Sequence, residues 1–194
     1  MKSAANNLVI KLATASMVWL AVWSGTQGIF MSDILLKLPG ELNLKYAIAT
    51  LWVAVIAIAS LIILPSYRKK VLTKSYLLLL YVIPAILLAM LPQHYSLTLY
   101  CPIFVFMIII TVFWQDYVTF GLLQTYLAKR ASPSVAAMIT TALFLLGHII
   151  FFLNDLADPQ FALIALAGVA FAFSRRYTGT IYIANILHLC FYLI

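Results

Sequence analysis

The sequence predicts an all-α, polytopic membrane protein. Hydrophobic residues make up 65% of the 194 residues, charged residues make up only 9%, and the mean hydropathy is +1.09. A soluble domain of this size could not cover so much apolar surface. Apolar runs long enough to cross a bilayer, about 17–25 residues, also recur along the chain. These observations exclude a separate soluble domain, and they make the net charge of +7 a signal of membrane topology rather than of nucleic-acid binding.

The apolar runs predict about seven transmembrane helices. They lie at about 9–31, 46–64, 76–92, 101–127, 135–153, 161–174 and 178–194. Lys2 and Lys11 precede the first run as in a signal peptide, but no A-x-A-like cleavage site follows, so we expect a retained helix. Pro84 predicts a kink inside the third run. Pro92 ends that run, and the loop that contains Asn154 and Pro159 separates the fifth and sixth.

The basic residues predict the orientation of these helices. With seven spans, ten of the twelve basic residues fall on one side of the membrane. They are Lys2, Lys11, Arg68, Lys69, Lys70, Lys74, Lys129, Arg130, Arg175 and Arg176. Only Lys37 and Lys45 fall on the other side. Because cytoplasmic loops carry the excess of Lys and Arg, the N-terminus is expected in the cytoplasm and the C-terminus outside.

Polar side chains lie inside three of the predicted helices at similar depths. Gln115, His148 and His188 lie about 18, 20 and 15 Å from the cytoplasmic ends of their helices, at about 1.5 Å per residue. Asp116 adjoins Gln115, and Asn185 shares a helix face with His188. Ionisable groups in lipid are costly and usually functional, so the shared depth predicts that they meet in one cavity.

A purely structural role, a metal site, a serine-protease site and a transport pathway are less well supported for these polar residues. Each residue alone is typical of an interhelical hydrogen bond. Two histidines and one aspartate could hold zinc, but H-E-x-x-H is absent, and we predict no metal or other cofactor. No serine lies at this depth, which disfavours a Ser-His-Asp site, and a small-molecule transporter is disfavoured because no internal repeat is present. Cys101 and Cys190 are expected to be packing residues.

Three segments in order resemble the motifs of the CPBP family, the CAAX-protease and bacteriocin-processing group of glutamic intramembrane proteases. Residues 115–121 (QDYVTFG) are similar to E-E-x-x-x-R-G, and residues 144–148 (FLLGH) fit F-x-x-x-H. Residues 176–180 (RYTGT) and then 188–192 (HLCFY) resemble a helix start followed by H-x-x-x-N. The resemblance covers residues 101–194 as a CPBP-like core. It leaves three N-terminal transmembrane helices in residues 1–100 without an assigned role.

The resemblance implies an intramembrane endopeptidase that uses an activated water and no cofactor. In the family, the first glutamate and the second-motif histidine activate that water, while the last histidine and asparagine stabilise the oxyanion. Carried over, position 115 is the base, His148 is its partner, and His188 and Tyr192 form the oxyanion side. Asp116, Asn185 and Phe144 are supporting residues. The expected partners are the lipid bilayer and a membrane-associated protein or peptide substrate, in a bacterial inner membrane; no oligomeric state is predicted.

The chain departs from the family pattern at four positions. Gln115 and Asp116 stand where the pattern has its two glutamates, Phe120 replaces the arginine, and Tyr192 replaces the asparagine. A neutral amide cannot accept the proton of an attacking water, so the chain as written is expected to be inactive or nearly so. Gln115 is either natural or an engineered Glu-to-Gln change. The alternative function is a non-catalytic pseudoprotease that binds a membrane protein or a peptide tail.

Asp116 has no predicted cationic partner, because the residue one turn further on is Phe120 rather than arginine. Desolvation without a cation favours the neutral form of a carboxyl group. We therefore expect Asp116 to be either protonated or hydrogen-bonded to a histidine or backbone group of a neighbouring helix. Its predicted role is structural rather than that of the base.

Overall fold

The computed structural model describes residues 2–90, 99–151 and 160–192, and these ranges form helices with no strand. The α-helices are α1 Lys2–Ser24, α2 Gln27–Met31, α3 Ile34–Lys37, α4 Leu42–Ile63, α5 Pro65–Val71, α6 Leu77–Leu80, α7 Val82–Met90, α8 Cys101–Asp116, α9 Gln124–Ala128, α10 Pro133–Ile149, α11 Gln160–Thr178 and α12 Tyr182–Phe191. A π-helical segment, Tyr117–Leu123, joins α8 to α9. The predicted all-α class is confirmed.

Three helices among the described residues are long and apolar enough to cross a membrane. They are Asn6–Ser24, Leu42–Ile63 and the continuous helix Cys101–Ala128. Pro133–Ile149 and Tyr182–Phe191 are apolar but shorter. The total of seven spans stays a prediction, and the loop predicted at Asn154–Pro159 lies outside the described residues.

The third apolar run, predicted as one helix over 76–92, is divided into α6 and α7 at Tyr81. The cause is Pro84, whose ring would clash with the carbonyl of Leu80 four residues earlier in a continuous helix. Pro84 instead occupies the first turn of α7, where a missing N–H removes no helical hydrogen bond. The predicted end of this run at Pro92 lies outside the described residues.

The first run, predicted as one helix over 9–31, also ends early. α1 stops at Ser24, and α2 begins at Gln27 after a turn at Gly25 and Thr26. The Thr26 hydroxyl donates to the Val22 carbonyl (2.6 Å) and accepts from the indole N–H of Trp114 on α8 (2.8 Å). This turn therefore fixes the end of α1 against the middle of the long helix that carries Gln115.

Two tryptophans attach α1 to the rest of the bundle. Trp19 donates its indole N–H to the Thr119 hydroxyl in the π-helical segment (3.0 Å), and Trp23 donates to the Gly147 carbonyl on α10 (3.3 Å). Gly147 is required for this approach, because a Cβ there would lie 2.6 Å from the Trp23 Nε1 atom. Both indole rings are buried, so these two side chains of the N-terminal helix are part of the core.

A network of hydrogen bonds centred on Glu41 joins the start of α4 to the start of α8. The Glu41 carboxylate accepts from the backbone N–H of Leu44 (2.8 Å) and from the side-chain amide of Asn43 (2.7 Å). Asn43 Oδ1 in turn accepts the backbone N–H of Tyr100, the residue before α8 (2.7 Å). The bond from Asn43 and then that from Leu44 lower the pKa of Glu41 from its ordinary value of 4.5.

We predict that acid weakens this junction through Glu41. A lowered pKa means that its contribution to stability is complete above about pH 4.5 and is lost as the pH falls through the lowered value. Glu41→Gln should show a smaller drop in thermal unfolding midpoint between pH 7 and pH 3.5 than the unchanged chain. Asp33→Asn is the matched control, because the Asp33 side chain makes no cap hydrogen bond. Equal pH dependence of the Glu41 variant and the unchanged chain would contradict the assignment.

Candidate active site

A buried carboxylate forms the centre of the polar layer. Asp116, at the end of α8, is fully buried. Its Oδ2 atom accepts a hydrogen bond from the Asn185 side-chain amide (2.7 Å), and its Oδ1 atom accepts one from Nδ1 of His188 (2.9 Å). Both donors lie on α12, so two hydrogen bonds to one carboxylate hold α8 and α12 together. The sequence-based expectation that Asp116 bonds to a histidine of a neighbouring helix agrees with this geometry.

Hydrogen bonds hold the first turn of α12, which precedes its polar residues in the chain. α11 ends at Thr178, and Gly179 adopts a positive φ of 75°, which glycine adopts without steric cost. The Ile181 N–H then donates to the carbonyl of Val71 (3.3 Å), and the Tyr182 hydroxyl donates to the carbonyl of Thr73 (2.6 Å). With its first turn held, α12 presents Asn185 and His188 on one face, three residues apart.

His148, on α10, has a defined tautomer. Its Nδ1 atom lies 2.8 Å from the carbonyl oxygen of Phe144. Because a carbonyl only accepts hydrogen bonds, Nδ1 must carry the proton. In the neutral ring, Nε2 is therefore left with a free lone pair, which is the form that a general base requires.

Aromatic rings surround both histidines. The Phe144 ring lies 4.5 Å from the His148 ring and 5.9 Å from the His188 ring, between centroids, so one side chain contacts both. Phe171 of α11 stacks on His188 at 4.9 Å, and Trp23 of α1 lies 5.6 Å from His148. The site is therefore walled by apolar rings that exclude water and strengthen electrostatic interactions inside it.

Gln115 is buried beside this layer without a satisfied hydrogen bond. Its side chain is 1% exposed, and neither its amide nitrogen nor its amide oxygen has a hydrogen-bond partner. The Tyr192 hydroxyl interacts with the Gln115 side chain, but without the geometry of a full hydrogen bond. Buried polar atoms are nearly always paired, so an unpaired amide in a polar layer indicates a place where a water or a substrate group binds.

Some of the predicted site residues are in direct contact, whereas others are linked only through an aromatic ring. Asp116, Asn185 and His188 are in direct contact, and Tyr192 stacks on His188 at 6.0 Å. His148 belongs to the same layer through the Phe144 ring rather than through a polar contact. Nε2 of His148 and the carboxylate of Asp116 could also serve as metal ligands. However, the described residues contain no cluster of three His, Cys, Asp or Glu side chains.

Sequence reasoning missed the aromatic contributions of Trp23 and Phe171. Trp19 and Trp23 lie four residues apart, the spacing that places two side chains on one helix face. That pair was a usable signal that α1 packs against the site with an aromatic face. Phe120, which stands where the family pattern has arginine, packs on Phe144 (5.4 Å) and Phe171 (5.8 Å) and extends the same aromatic wall.

The apolar helices are typical of an integral membrane protein. Residues 97–194, half of the chain, match the family described as type II CAAX prenyl endopeptidase Rce1-like. The chain belongs to this family, which lies within the CPBP group that the three motifs indicated. No curated protein and no solved structure matches the chain.

We predict that the Asp116 carboxylate stabilises the fold. Asp116→Ala leaves the donors of Asn185 and His188 unsatisfied and should lower the free energy of unfolding by roughly 1–3 kcal/mol. Asp116→Asn should cost less, since its amide oxygen still accepts one bond and its NH₂ can donate to His188 Nδ1 in the other tautomer. Thermal unfolding in detergent measures both variants. If Asp116→Ala unfolds at the same temperature as the unchanged chain, the carboxylate does not have this role.

Proposed function

We propose that this protein is an intramembrane endopeptidase scaffold of the CAAX-protease type. Its substrate would be a lipidated or helical tail of a membrane-associated protein, cut at a peptide bond by water. The observation that supports this most directly is the unpaired Gln115 amide at the position of the family's base, in one buried layer with His148 and His188. An enclosed polar layer of this kind keeps bulk water away from the reacting groups.

In this proposal the role of each group follows from which of its donor and acceptor atoms are not already hydrogen-bonded. The Gln115 amide oxygen orients the attacking water, and His148 Nε2 accepts the proton, because its Nδ1 is committed to Phe144. Asp116 orients His188 through Nδ1, as a carboxylate orients the histidine of a catalytic triad. The Tyr192 hydroxyl beside Gln115 then donates to the oxyanion. The peptide bond breaks as the carbonyl re-forms and the amine leaves with a proton returned from His148.

A non-catalytic binding role is the second candidate, and the same Gln115 amide favours it. An unpaired amide donates and accepts at once, so it matches the N–H and C=O of an unwound peptide segment. In that case a membrane protein or tail is held rather than cut. Affinity purification from native membranes separates the two: a stoichiometric partner that is retained equally by Gln115→Glu supports binding, and a cleaved tail supports the protease.

We also propose that the chain lies in a bacterial inner membrane with seven spans and its N-terminus in the cytoplasm. The support for the orientation is the ten-to-two division of basic residues that a seven-span arrangement produces. The N-terminal helices of residues 1–100 would then form the half of the bundle that encloses the core over 101–194.

The main catalytic prediction is that Gln115→Glu raises cleavage of a cognate tail. The introduced carboxylate accepts the water proton in place of the neutral amide, with His148 as its partner, and a positioned base contributes about 10²–10⁴-fold in rate. Gln115→Met is the matched control, since it keeps the length of the side chain without adding an acid. His148→Ala in the Gln115→Glu background should remove the gain. If Gln115→Glu, His148→Ala and His188→Ala all leave turnover unchanged, the protease proposal is wrong.

The topology prediction is tested by cysteine labelling in intact cells. With Cys101 and Cys190 replaced by alanine, Ser66→Cys should react with an impermeant reagent only after the membrane is opened. Lys37→Cys should react from outside, because it lies on the opposite side in the seven-span arrangement. Both positions are exposed, so access depends on sidedness rather than on burial. Labelling of Ser66→Cys from outside intact cells would reverse the predicted orientation.

A further inference from the structure

An apolar cleft opens between α1, α4 and the long helix 101–128, separate from the Asp116 layer. Its volume is about 640 Å³. Apolar side chains dominate its walls, among them Val18, Val22, Ile56, Ile63, Trp114 and Val118. None of the buried unpaired polar atoms in the described part of the chain belongs to a residue that lines it. The mostly apolar walls therefore fit a hydrocarbon chain better than a polar solute.

The length of the cleft fits one leaflet of a bilayer. Along the long helix its wall runs from Trp114 to Tyr126, which is about 18 Å at about 1.5 Å per residue. The hydrocarbon core of a bilayer is about 30 Å thick, so one leaflet accounts for about half of that. A chain that fills this cleft therefore ends near mid-membrane and begins at the level of Tyr126.

Positive charge surrounds the end of the cleft at which such a chain would begin. Tyr67 and Tyr126 line that end. Lys129 places its Nζ atom 4.6 Å from the centre of the Tyr67 ring, and the Arg130 guanidinium carbon lies 3.5 Å from the centre of the Tyr126 ring. We call Lys129 and Arg130 the basic collar. Arg68, Lys69 and Lys70 follow Tyr67 directly and add to the same field.

No carboxylate neutralises the collar within the described residues, where the only acid–base pair joins Asp116 to His188. Arg130 donates to the carbonyl of Tyr126 (3.1 Å), which leaves its charge uncompensated. Each Lys or Arg near a membrane surface contributes about 1 kcal/mol of attraction to anionic lipid. An apolar slot one leaflet deep with two unpaired cations at its mouth matches the two parts of a phospholipid: an acyl chain and a negatively charged head group.

We propose that this cleft binds an anionic phospholipid, with one acyl chain between α1 and α4 and the phosphate on Lys129 and Arg130. The proposal goes beyond the protease proposal and does not depend on catalysis. A lipid at this place also supports Trp19 and Trp114, the two cleft residues that hold α1 on the long helix through Thr119 and Thr26. Bound anionic lipid should therefore stabilise the attachment of α1.

The test uses the full chain, purified in neutral detergent, with phosphatidylglycerol or phosphatidylcholine of identical acyl chains. Native mass spectrometry should show one retained phosphatidylglycerol, and that lipid should raise the unfolding temperature more than phosphatidylcholine does. The double variant Lys129→Ala with Arg130→Ala should weaken phosphatidylglycerol binding about tenfold or more. Lys37→Ala with Lys45→Ala removes one charge from α3 and one from the start of α4, away from the collar, and should leave lipid binding unchanged.

A second pair of variants tests binding of the acyl chain in the cleft without changing any charge. Val18→Trp projects a ring into the cleft from the exposed side of α1 and should abolish lipid retention. Met17→Trp is the matched control, because Met17 is 72% exposed and does not line the cleft. Equal binding of the two lipids, or unchanged binding by Val18→Trp, would overturn the proposal. Displacement of the lipid by a farnesylated peptide would also overturn it, by assigning the cleft to a substrate tail.

Discussion

The Asp116 carboxylate is the interaction on which the rest of the site depends. A charged or polar group inside a membrane protein must find partners within the protein, because lipid supplies none. Asp116 takes both of its partners from α12, Asn185 and His188, and by doing so fixes the distance and rotation of α12 relative to α8. The orientation of the His188 ring, and with it the stacking of Phe171 and Tyr192, follows from that pair of bonds.

The site is completed by residues outside the family match. Residues 97–194 carry the polar groups, but Trp23 of α1 packs on His148 and bonds to Gly147, one residue before that histidine. The close approach is possible only because residue 147 lacks a side chain. A helix to which the family resemblance assigns no role therefore shapes the environment of a proposed proton acceptor. This contact gives α1 a physical role in the proposed site, in addition to the residues of the family match.

Much of this arrangement follows from spacing along the chain, and the rest depends on tertiary contacts. The all-α class and the Asp116–histidine contact could be predicted, because helix rise sets depth and a buried acid needs a partner. Pro84 indicated a kink in the third run, although not the division into two helices at Tyr81. The break at Gly25–Thr26 could not be predicted, since hydropathy does not register a threonine that bonds to a distant indole. The π-helical turn of Tyr117–Leu123 has no signal in the sequence pattern. The contact between Phe144 and Phe171 arises from packing between helices, which a single sequence does not display.

The departures from the family pattern at Gln115 and Phe120 both change the net charge of the buried polar layer. In the resembling family an arginine at position 120 would compensate an acid one turn away, whereas here Phe120 is fully buried among aromatic rings and supplies no charge. A glutamate at 115 would then be a second carboxylate next to Asp116 without a cation, and burying an unpaired charge is strongly unfavourable. The neutral Gln115 amide avoids the cost of burying a second carboxylate. It also lacks the proton-accepting group that a glutamate would supply. A single engineered exchange at 115 would not account for Phe120 and Tyr192 as well, so these two departures need their own explanation whether Gln115 is natural or engineered.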